Sequence, residues 1–264
     1  MSRHIVVLTA ALALGTLFPP FDFAAAADIN VMISGGYAEA YKALVPQFEQ
    51  ATGNKVTTVF GPSMGETPQA IPNRIARGEP VDVVIGVGYA VDKLAEDGKV
   101  VRGSRTDLAQ VLIYMAVRAG AAKPDIASLD AFKQALLAAK SVAYSDSASG
   151  VYISTEMLAR LGIADAVKTK STMVPAEPVG RVVARGDAEI GFQQISEMLP
   201  VAGVDIVGPL PPELQQITVF SAGIASVSKE PEAGKALIAF LASPAARDAI
   251  IKSGMEPITA GAAK

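Results

Sequence analysis

The chain contains 264 residues, half of them hydrophobic, and carries a formal net charge of −3 with a pI near 5.3. Its length suits one large or two modest globular domains, and its acidic balance argues against binding to nucleic acid. The absence of cysteine excludes disulfides, thiolate chemistry and a lipid-modified cysteine, so we do not expect a lipoprotein.

The first 27 residues have the pattern of a secretion signal. Arg3 is a short basic start, residues 5–18 are apolar, and four alanines at 24–27 form a small-residue cleavage site. The apolar stretch is shorter than a bilayer span. We therefore predict that residues 1–27 are a cleaved signal peptide and that the mature protein is periplasmic. Cleavage also removes His4, the single histidine, which excludes Ser-His-Asp catalysis and histidine metal sites. No spaced acidic cluster predicts a metal site, and no cofactor is expected.

Residues 29–41 (INVMISGGYAEAY) begin the predicted fold as a strand, a glycine-rich turn and a helix. The apolar run at 31–33 stops at Ser34, Gly35 and Gly36. One apolar helix face then follows at helical spacing, in Tyr37, Tyr41, Leu44, Val45 and Phe48. Glycines let backbone N–H groups approach a ligand, and the helix start adds unpaired N–H groups and a positive dipole end. The pattern predicts an anion site without charged side chains, although a plain βα turn has the same pattern.

The same order of strand, loop and helix recurs along the chain. After a strand at 55–60, we expect Ser63 in GPSMG to offer a hydroxyl and to cap a helix ending at Arg77. Two more units are a strand at 81–85 with loop 86–89 (GVGY) and helix 91–98, and a strand at 142–144 with loop 145–150 (SDSASG) and a helix to 161. Alternation of strands and helices predicts parallel sheets with a ligand crevice beyond the strand C-termini.

Two longer strands are predicted to carry the chain between two lobes. They lie at 111–118 and 217–227. The predicted lobes are residues 28–109 plus 221–264, and residues 110–220. The other predicted elements are helices at 128–140 (capped by Ser128), 178–185, 194–199, 231–241 and 243–253, and strands at 189–192 and 204–207.

Five segments in this order resemble the type II periplasmic solute-binding proteins, and within them the molybdate-binding family. They are SGGY with LVPQFEQATG, GPSMG, ARGEPVDVVIG, SDSASGVYISTEMLARLG and PAEPVGRVVARGDAEIGFQQ. The resemblance covers the whole mature chain. It implies an α/β fold of two lobes joined by a two-strand hinge, with a ligand cleft between them. In this family the ligand is bound mainly by helix N-termini, backbone N–H groups and hydroxyls.

Matched residue by residue, the chain departs from the molybdate binders at two positions. Gly36 stands where the family has a serine in the first loop, with Ser34 nearby, and Gln194 stands where the family usually has a tyrosine. The segment behind Ser63 is also longer than in those relatives. Because a tetrahedral oxyanion needs a small cage lined by donors, these departures also fit a wider pocket for an organic carboxylate. The predicted ligand-binding residues are Ser34, Gly35, Gly36, Tyr37, Ser63, Met64, Gly88, Tyr89, Ser147, Ser149, Gly150, Val179, Gln193 and Gln194.

Two functions on this fold stay open from the sequence. The first is a monomeric solute-binding protein that captures a small anion, a molybdate-like oxyanion or an organic carboxylate, for an ABC permease of the inner membrane. A sensor subunit that delivers its ligand to a receptor would look the same. The second is aconitate isomerase, a known member of this family, which moves an allylic proton. Its general base would then be sought among Tyr37, Tyr152 and Glu177.

Overall fold

The computed structural model describes residues 26–175 and 177–258, so most of the predicted signal peptide lies outside the described residues. Two sheets carry helices on their faces, which confirms the predicted α/β fold of two lobes. The strands are β1 Asp28–Ile33, β2 Lys55–Phe60, β3 Val83–Val87, β4 Thr106–Val111, β5 Ile113–Arg118, β6 Val142–Ser145, β7 Ser171–Val174, β8 Ile190–Gln194, β9 Val204–Pro209, β10 Thr218–Ile224 and β11 Glu256–Pro257.

Strands and helices alternate through most of the chain, as the sequence predicts, although β4 is followed directly by β5, and β4, β7 and the helix Ala164–Lys168 were not predicted. The helices are α1 Ala38–Thr52, α2 Ile71–Ala76, α3 Gly88–Glu96, α4 Leu129–Ala138, α5 Ala148–Tyr152, α6 Leu158–Arg160, α7 Ala164–Lys168, α8 Val179–Arg185, α9 Ile195–Met198, α10 Pro231–Leu241 and α11 Arg247–Lys252, with a π-helical turn Ile153–Met157 and 3₁₀ turns Gly35–Tyr37, Pro212–Leu214 and Pro244–Ala246. None of the helices in the described ranges is long and apolar enough to span a membrane.

The first sheet has the strand order β11-β4-β10-β3-β1-β2. Strands β1, β2 and β3 are parallel, and β10 is antiparallel to both β3 and β4. Alternate side chains of β1 enter different cores, because Val31 and Ile33 pack with α1 and α10 while Met32 packs with α2 and α3 on the opposite face. Burial on both faces explains why the last three residues of this strand, at 31–33, are all apolar.

The second sheet has the strand order β7-β6-β8-β5-β9. Strand β6 is parallel to β7 and β8, and β5 is antiparallel to β8 and β9. On one face, the ring of Phe192 from β8 packs against the ring of Phe132 from α4, with the ring centroids 5.9 Å apart. The other face packs on α8. Both sheets therefore present the C-terminal ends of their parallel strands to the space between the lobes.

The chain changes sheet between β4 and β5 and again between β9 and β10. The predicted single strand at 111–118 is divided at Leu112, whose carbonyl accepts a hydrogen bond from Ile195 N–H at 3.1 Å. The Gln215 side chain then bonds both the N–H and the carbonyl of Ile113, at 2.9 and 3.0 Å, and ties the two connections together. The residue limits predicted for the lobes stay a prediction.

Three local predictions differ from the structure. Strand β3 continues through Gly86 and runs directly into α3, so the predicted loop at 86–89 does not exist. Gly86 pairs with Ser221 of the neighbouring strand, which extends the ladder. Helix α2 begins only at Ile71, because Gly65 has a positive φ of 107° and a proline follows at position 68. The last predicted helix, 243–253, begins as a 3₁₀ turn and becomes α-helical at Arg247.

Candidate functional site

A cavity of about 390 Å³ lies between the two sheets, beyond the C-terminal ends of five strands. This is the position at which open α/β sheets bind ligands. The first sheet and its loops contribute Ser34, Gly35, Gly36, Phe60, Gly61, Pro62, Ser63, Thr67, Gln69, Val87 and Phe220. The second contributes Ser145, Asp146, Ser147, Ala148, Glu177, Pro178, Gln193, Gln194 and Glu197. None of these lining residues is Lys or Arg.

The first glycine-rich turn lies in the cavity wall, as the sequence predicts. Ser34 is buried, and its Oγ has no hydrogen-bond partner among the described residues. The two glycines are needed for a second reason that the sequence does not reveal. A Cβ on Gly36 would lie 2.1 Å from the Phe220 ring, and a Cβ on Gly35 would lie 2.7 Å from Glu197 Oε1. Gly35 is therefore in contact with a carboxyl group from the other lobe.

The second loop places Ser63 at the cavity, although not as the predicted helix cap. Ser63 Oγ accepts a hydrogen bond from Val87 N–H at 3.0 Å, so it joins this loop to the end of β3. Met64 does not line the cavity, and its sulfur accepts a bond from Tyr89 Oη at 3.6 Å. Thr67 was not predicted. It lines the cavity, and its Oγ1 has no partner in the described part of the chain.

Gly88 and Tyr89 lie outside the cavity lining, because α3 starts directly at the end of β3. A Cβ on Gly88 would lie 2.6 Å from the Arg105 guanidinium, so this glycine accommodates packing within the first lobe. Tyr89 is on the outer face of α3 and 54% exposed. The structure therefore does not bring these two predicted contacts to the site.

The serine-rich loop of the second lobe is a hydrogen-bonded cluster. Ser145 Oγ lies 2.7 Å from Ser147 Oγ and 3.1 Å from Ser149 Oγ. Ser149 also donates to Gln194 Oε1 at 3.2 Å. Of the predicted residues here, Ser147 and Gln194 line the cavity, whereas Ser149 is fully buried behind them. Gly150 is required by close packing, since a Cβ there would lie 1.6 Å from the Ser145 carbonyl oxygen.

Val179 and Gln193 contact each other. The Val179 N–H at the start of α8 donates to Gln193 Oε1 at 2.8 Å, so this N–H is engaged within the protein. Val179 itself does not line the cavity, while Gln193 does. The glutamine pair was predicted to lie at the site, and both side chains are in its wall.

The tyrosines predicted as candidate bases do not line the cavity. Tyr37 is fully buried, its Oη has no partner among the described residues, and burial raises its pKa further above the ordinary tyrosine value. Tyr152 Oη donates to the Leu214 carbonyl at 2.6 Å and accepts from Arg160 at 3.3 Å. Both hydroxyls are therefore directed into the protein interior, away from the site.

Glu177, the third candidate base, does line the cavity but is held as an anion. Its two carboxylate oxygens bond Arg185 at 2.9 and 3.0 Å. This side-chain hydrogen bonding lowers the pKa of Glu177 below its usual range, which makes its carboxylate a weak base. The sequence places Glu177 correctly but does not show its partner.

Glu197 is another cavity residue that the sequence analysis missed. Burial raises the pKa of Glu197 to about 7, the Gln193 side chain opposes this shift, and the charge of Asp146 adds to it. The sequence signal was ambiguous. Glu197 is the third residue of α9 after the N-cap Gln194, a position at which glutamate usually serves as a helix cap. Within residues 26–175 and 177–258 no three acidic side chains are close enough together to hold a metal ion.

The fold and the cavity together define a two-lobed α/β protein with a cavity between its lobes of a size that suits a small molecule. A family model described as bacterial extracellular solute-binding protein matches residues 29–256, and the chain belongs to this family. The resemblance inferred from the sequence is thereby confirmed.

Two relatives and one solved structure bear on the ligand and the fold. The chain is 52% identical to an aconitate isomerase of Pseudomonas sp over 232 residues, 88% of each chain. It is 30% identical to the molybdate-binding protein ModA of Azotobacter vinelandii over 240 residues, 86% of this chain and 89% of the relative. The structure of the periplasmic molybdate-binding protein of Azotobacter vinelandii superposes with a TM-score of 0.67 at 22% identity, covering 86% of this chain and 98% of the other.

Proposed function

We propose that this protein is a periplasmic isomerase that interconverts cis- and trans-aconitate, with Glu197 as the general base. The observation that carries the proposal is the position of the Glu197 carboxyl group in the wall of the cavity between the lobes, where burial raises its pKa to about 7. A base with a pKa near neutrality combines the required protonation state with useful proton affinity. The 52% identity to an aconitate isomerase supplies the substrate.

The reaction needs only a base and a means of holding carboxylates. Aconitate has a central carbon joined by a double bond to one arm and by a single bond to a methylene arm, and each of the three carbons carries a carboxylate. Glu197 removes a methylene proton, and the electron pair forms an allylic carbanion. Return of the proton to the other arm moves the double bond and regenerates the same skeleton. The new double bond forms from the former single bond between the central carbon and the methylene arm, so the conformation held about that bond when the proton is removed decides whether the cis or the trans isomer results.

Neutral groups are proposed to hold the substrate carboxylates, because the described lining residues include no cation. In the first lobe, the donors would be the hydroxyls of Ser34 and Thr67, which have no hydrogen-bond partner among the described residues. In the second lobe, they would be the Ser147 hydroxyl and the side-chain amides of Gln193 and Gln194. Two of the three acidic residues in the described lining, Glu177 and Glu197, remain compatible with an anion. Arg185 neutralises Glu177, and a pKa near 7 leaves Glu197 partly protonated at neutral pH. Hydrogen bonds to an ionised acceptor are roughly twice as strong as neutral ones.

The test is the substitution Glu197→Gln in the mature protein, assayed by NMR with cis-aconitate. We expect the isomerisation rate constant to fall by at least about 100-fold, the usual contribution of a general base, while aconitate still raises the melting temperature. Glu232→Gln on the exposed face of α10 is the matched control and is expected to retain activity. An active E197Q variant would show that another group is the base, and a wild-type protein inert toward both aconitates would refute the isomerase proposal.

A second candidate is a solute-binding protein that delivers a small oxyanion to an ABC permease. The 30% identity to a molybdate-binding protein and the two cavity hydroxyls of Ser34 and Ser63 support it. In that case molybdate or tungstate would raise the melting temperature and the aconitates would not. A monomer in the periplasm fits both candidates.

A further inference from the structure

The orientation of the Gln193 side chain follows from its contact with Val179. A backbone N–H can only donate, so the group that it meets 2.8 Å away must be the amide oxygen of Gln193. The NH₂ group is therefore turned away from α8. Gln193 lies at the end of β8 and is only 3% exposed. It lines the cavity together with Glu197, which lies four residues further along the chain, on α9.

We propose that Gln193 is a positioning residue that, held by Val179, donates its NH₂ group to the Glu197 carboxyl and aims it into the cavity beside Gly35. The contribution to catalysis rests on the proposed function, whereas the contact itself does not. Two contacts of this arrangement are present in the structure, the bond from the Val179 N–H to the glutamine oxygen at 2.8 Å and the close approach of Glu197 Oε1 to Gly35 of the opposite lobe; the proposed bond from the NH₂ group to the carboxyl joins them.

The surroundings of Glu197 explain why this amide matters. The other charged groups that line the cavity are the carboxylates of Asp146 and Glu177, both from the second lobe, and Glu177 is paired with Arg185. In the described part of the chain, the first lobe contributes only uncharged residues to the lining, and one of them, Gly35, is in direct contact with the Glu197 carboxyl. Burial and the charge of Asp146 both disfavour the anionic form of Glu197, and the Gln193 side chain favours it. A donor at this point keeps the carboxyl ionisable near neutral pH.

The substitution Gln193→Glu separates this role from a structural one. It keeps an oxygen for the Val179 N–H and replaces only the NH₂ group by a second oxygen. We expect the pKa of Glu197, followed by carbon-13 NMR of labelled glutamate in the ligand-free protein, to rise by about one unit or more, the usual effect of a neighbouring carboxylate. The acid limb of the kcat/KM profile should move to higher pH by the same amount. The control is Gln47→Glu on the exposed face of α1, which adds the same charge. It should change neither the pKa of Glu197 nor the acid limb of the kcat/KM profile.

A second measurement needs no change at Gln193. In nitrogen-15 spectra of the wild type, the side-chain NH₂ signals of Gln193 should titrate with the midpoint of Glu197, and Glu197→Gln should abolish that titration. The proposal would be overturned if the pKa of Glu197 were unchanged in Q193E, or if the side-chain NH₂ signals of Gln193 in the wild type did not change with pH. Because both spectra are recorded without ligand, a failure here is distinguishable from a failure to isomerise aconitate.

Discussion

The contact between Gly35 and Glu197 joins the two lobes at the point where chemistry is proposed. Gly35 belongs to the turn after β1, and Glu197 belongs to α9 of the opposite lobe. Helix α9 also touches the first lobe at Gly254, where an added Cβ would lie 3.1 Å from Ile195. A carboxyl group supported in this way from both sides keeps its position relative to the loops that would hold a substrate, and such alignment is a large part of catalysis.

The adjacent glycines Gly35 and Gly36 should respond differently to substitution by alanine. Gly36→Ala places a methyl group 2.1 Å from the buried Phe220 ring, and we expect a loss of about 1–3 kcal/mol in the free energy of unfolding. Gly35→Ala meets only the end of the flexible Glu197 side chain, so stability should change little. The displaced carboxyl should instead reduce isomerisation by about tenfold or more. Urea denaturation and an NMR rate assay measure both effects, and equal activity in G35A and wild type would contradict the expected role of the contact.

At the scale of residues, the sequence predicted loops better than side-chain directions. Ser34, Ser63 and Gln193 were predicted at the site and are brought together there, because each lies at or shortly after the C-terminal end of a strand that faces the cavity. Their roles as ligand contacts stay a prediction. Tyr37 and Tyr152 also follow such loops, but ring direction depends on tertiary packing that a local pattern does not contain.

At the scale of elements, Asp82 holds together three parts of the first lobe. Its Oδ2 accepts from the Asn30 N–H at 2.8 Å and the Asn30 side-chain amide at 3.1 Å, which joins the start of β3 to β1. Its Oδ1 accepts from Ser228 Oγ, Lys229 N–H and Glu230 N–H at 2.8, 2.8 and 3.1 Å, which fixes the start of α10. Burial alone would raise the pKa of Asp82, but these hydrogen bonds together lower it below its ordinary value.

Asp82→Asn should therefore destabilise the protein in a pH-dependent way. The new NH₂ group would face either the donors of Asn30 or the donors at the start of α10, and two donors cannot bond each other. We expect the free energy of unfolding to fall by about 2–3 kcal/mol near pH 7. Because the folded-state pKa is lowered, the wild-type contribution is present above the unfolded pKa of about 4 and is lost as the pH falls through the folded value. The difference between variant and wild type should thus narrow below about pH 4 in urea unfolding.

The matched control for Asp82 is Asp97→Asn, at an exposed aspartate that pairs with Lys93 at 2.7 Å. It should cost no more than about 0.5 kcal/mol, as surface pairs usually do. A D82N variant as stable as D97N would show that the Asp82 network does not hold these elements together.

The predicted elements were most accurate where periodicity alone determines them. Helix α10 and strand β2 have the predicted limits, and Ser128 caps α4 by accepting from Ala131 N–H at 3.1 Å. One error, the loop predicted at 86–89, arises because glycines were read as loop residues. Gly86 continues a strand because it packs against Ser63 of a distant loop, a contact separated by more than twenty residues in sequence. Such non-local packing overrides the local preference of glycine for turns.

At the scale of the whole molecule, the lobes share apolar packing and should unfold together. Ala148 and Ile195 of the second lobe belong to the same buried cluster as Tyr37 and Phe220 of the first. Separating the lobes would expose this cluster to water, so neither lobe is expected to unfold alone. We predict one cooperative thermal transition by circular dichroism and calorimetry, with equal van 't Hoff and calorimetric enthalpies.

A bound ligand should raise the temperature of that single transition, because it contacts residues of both lobes. At 100 times its dissociation constant, an aconitate ligand should add about 2.7 kcal/mol to the free energy of unfolding. E197Q should keep most of this increase, since the proposed base acts on a carbon-bound proton, whereas the carboxylates are proposed to be held by hydroxyl and amide donors. Two separate transitions, of which only one moves with ligand, would mean that the lobes are independent and that the ligand contacts only one of them. A single transition that moves with aconitate in both proteins, with turnover in the wild type alone, would separate binding from catalysis within one cavity.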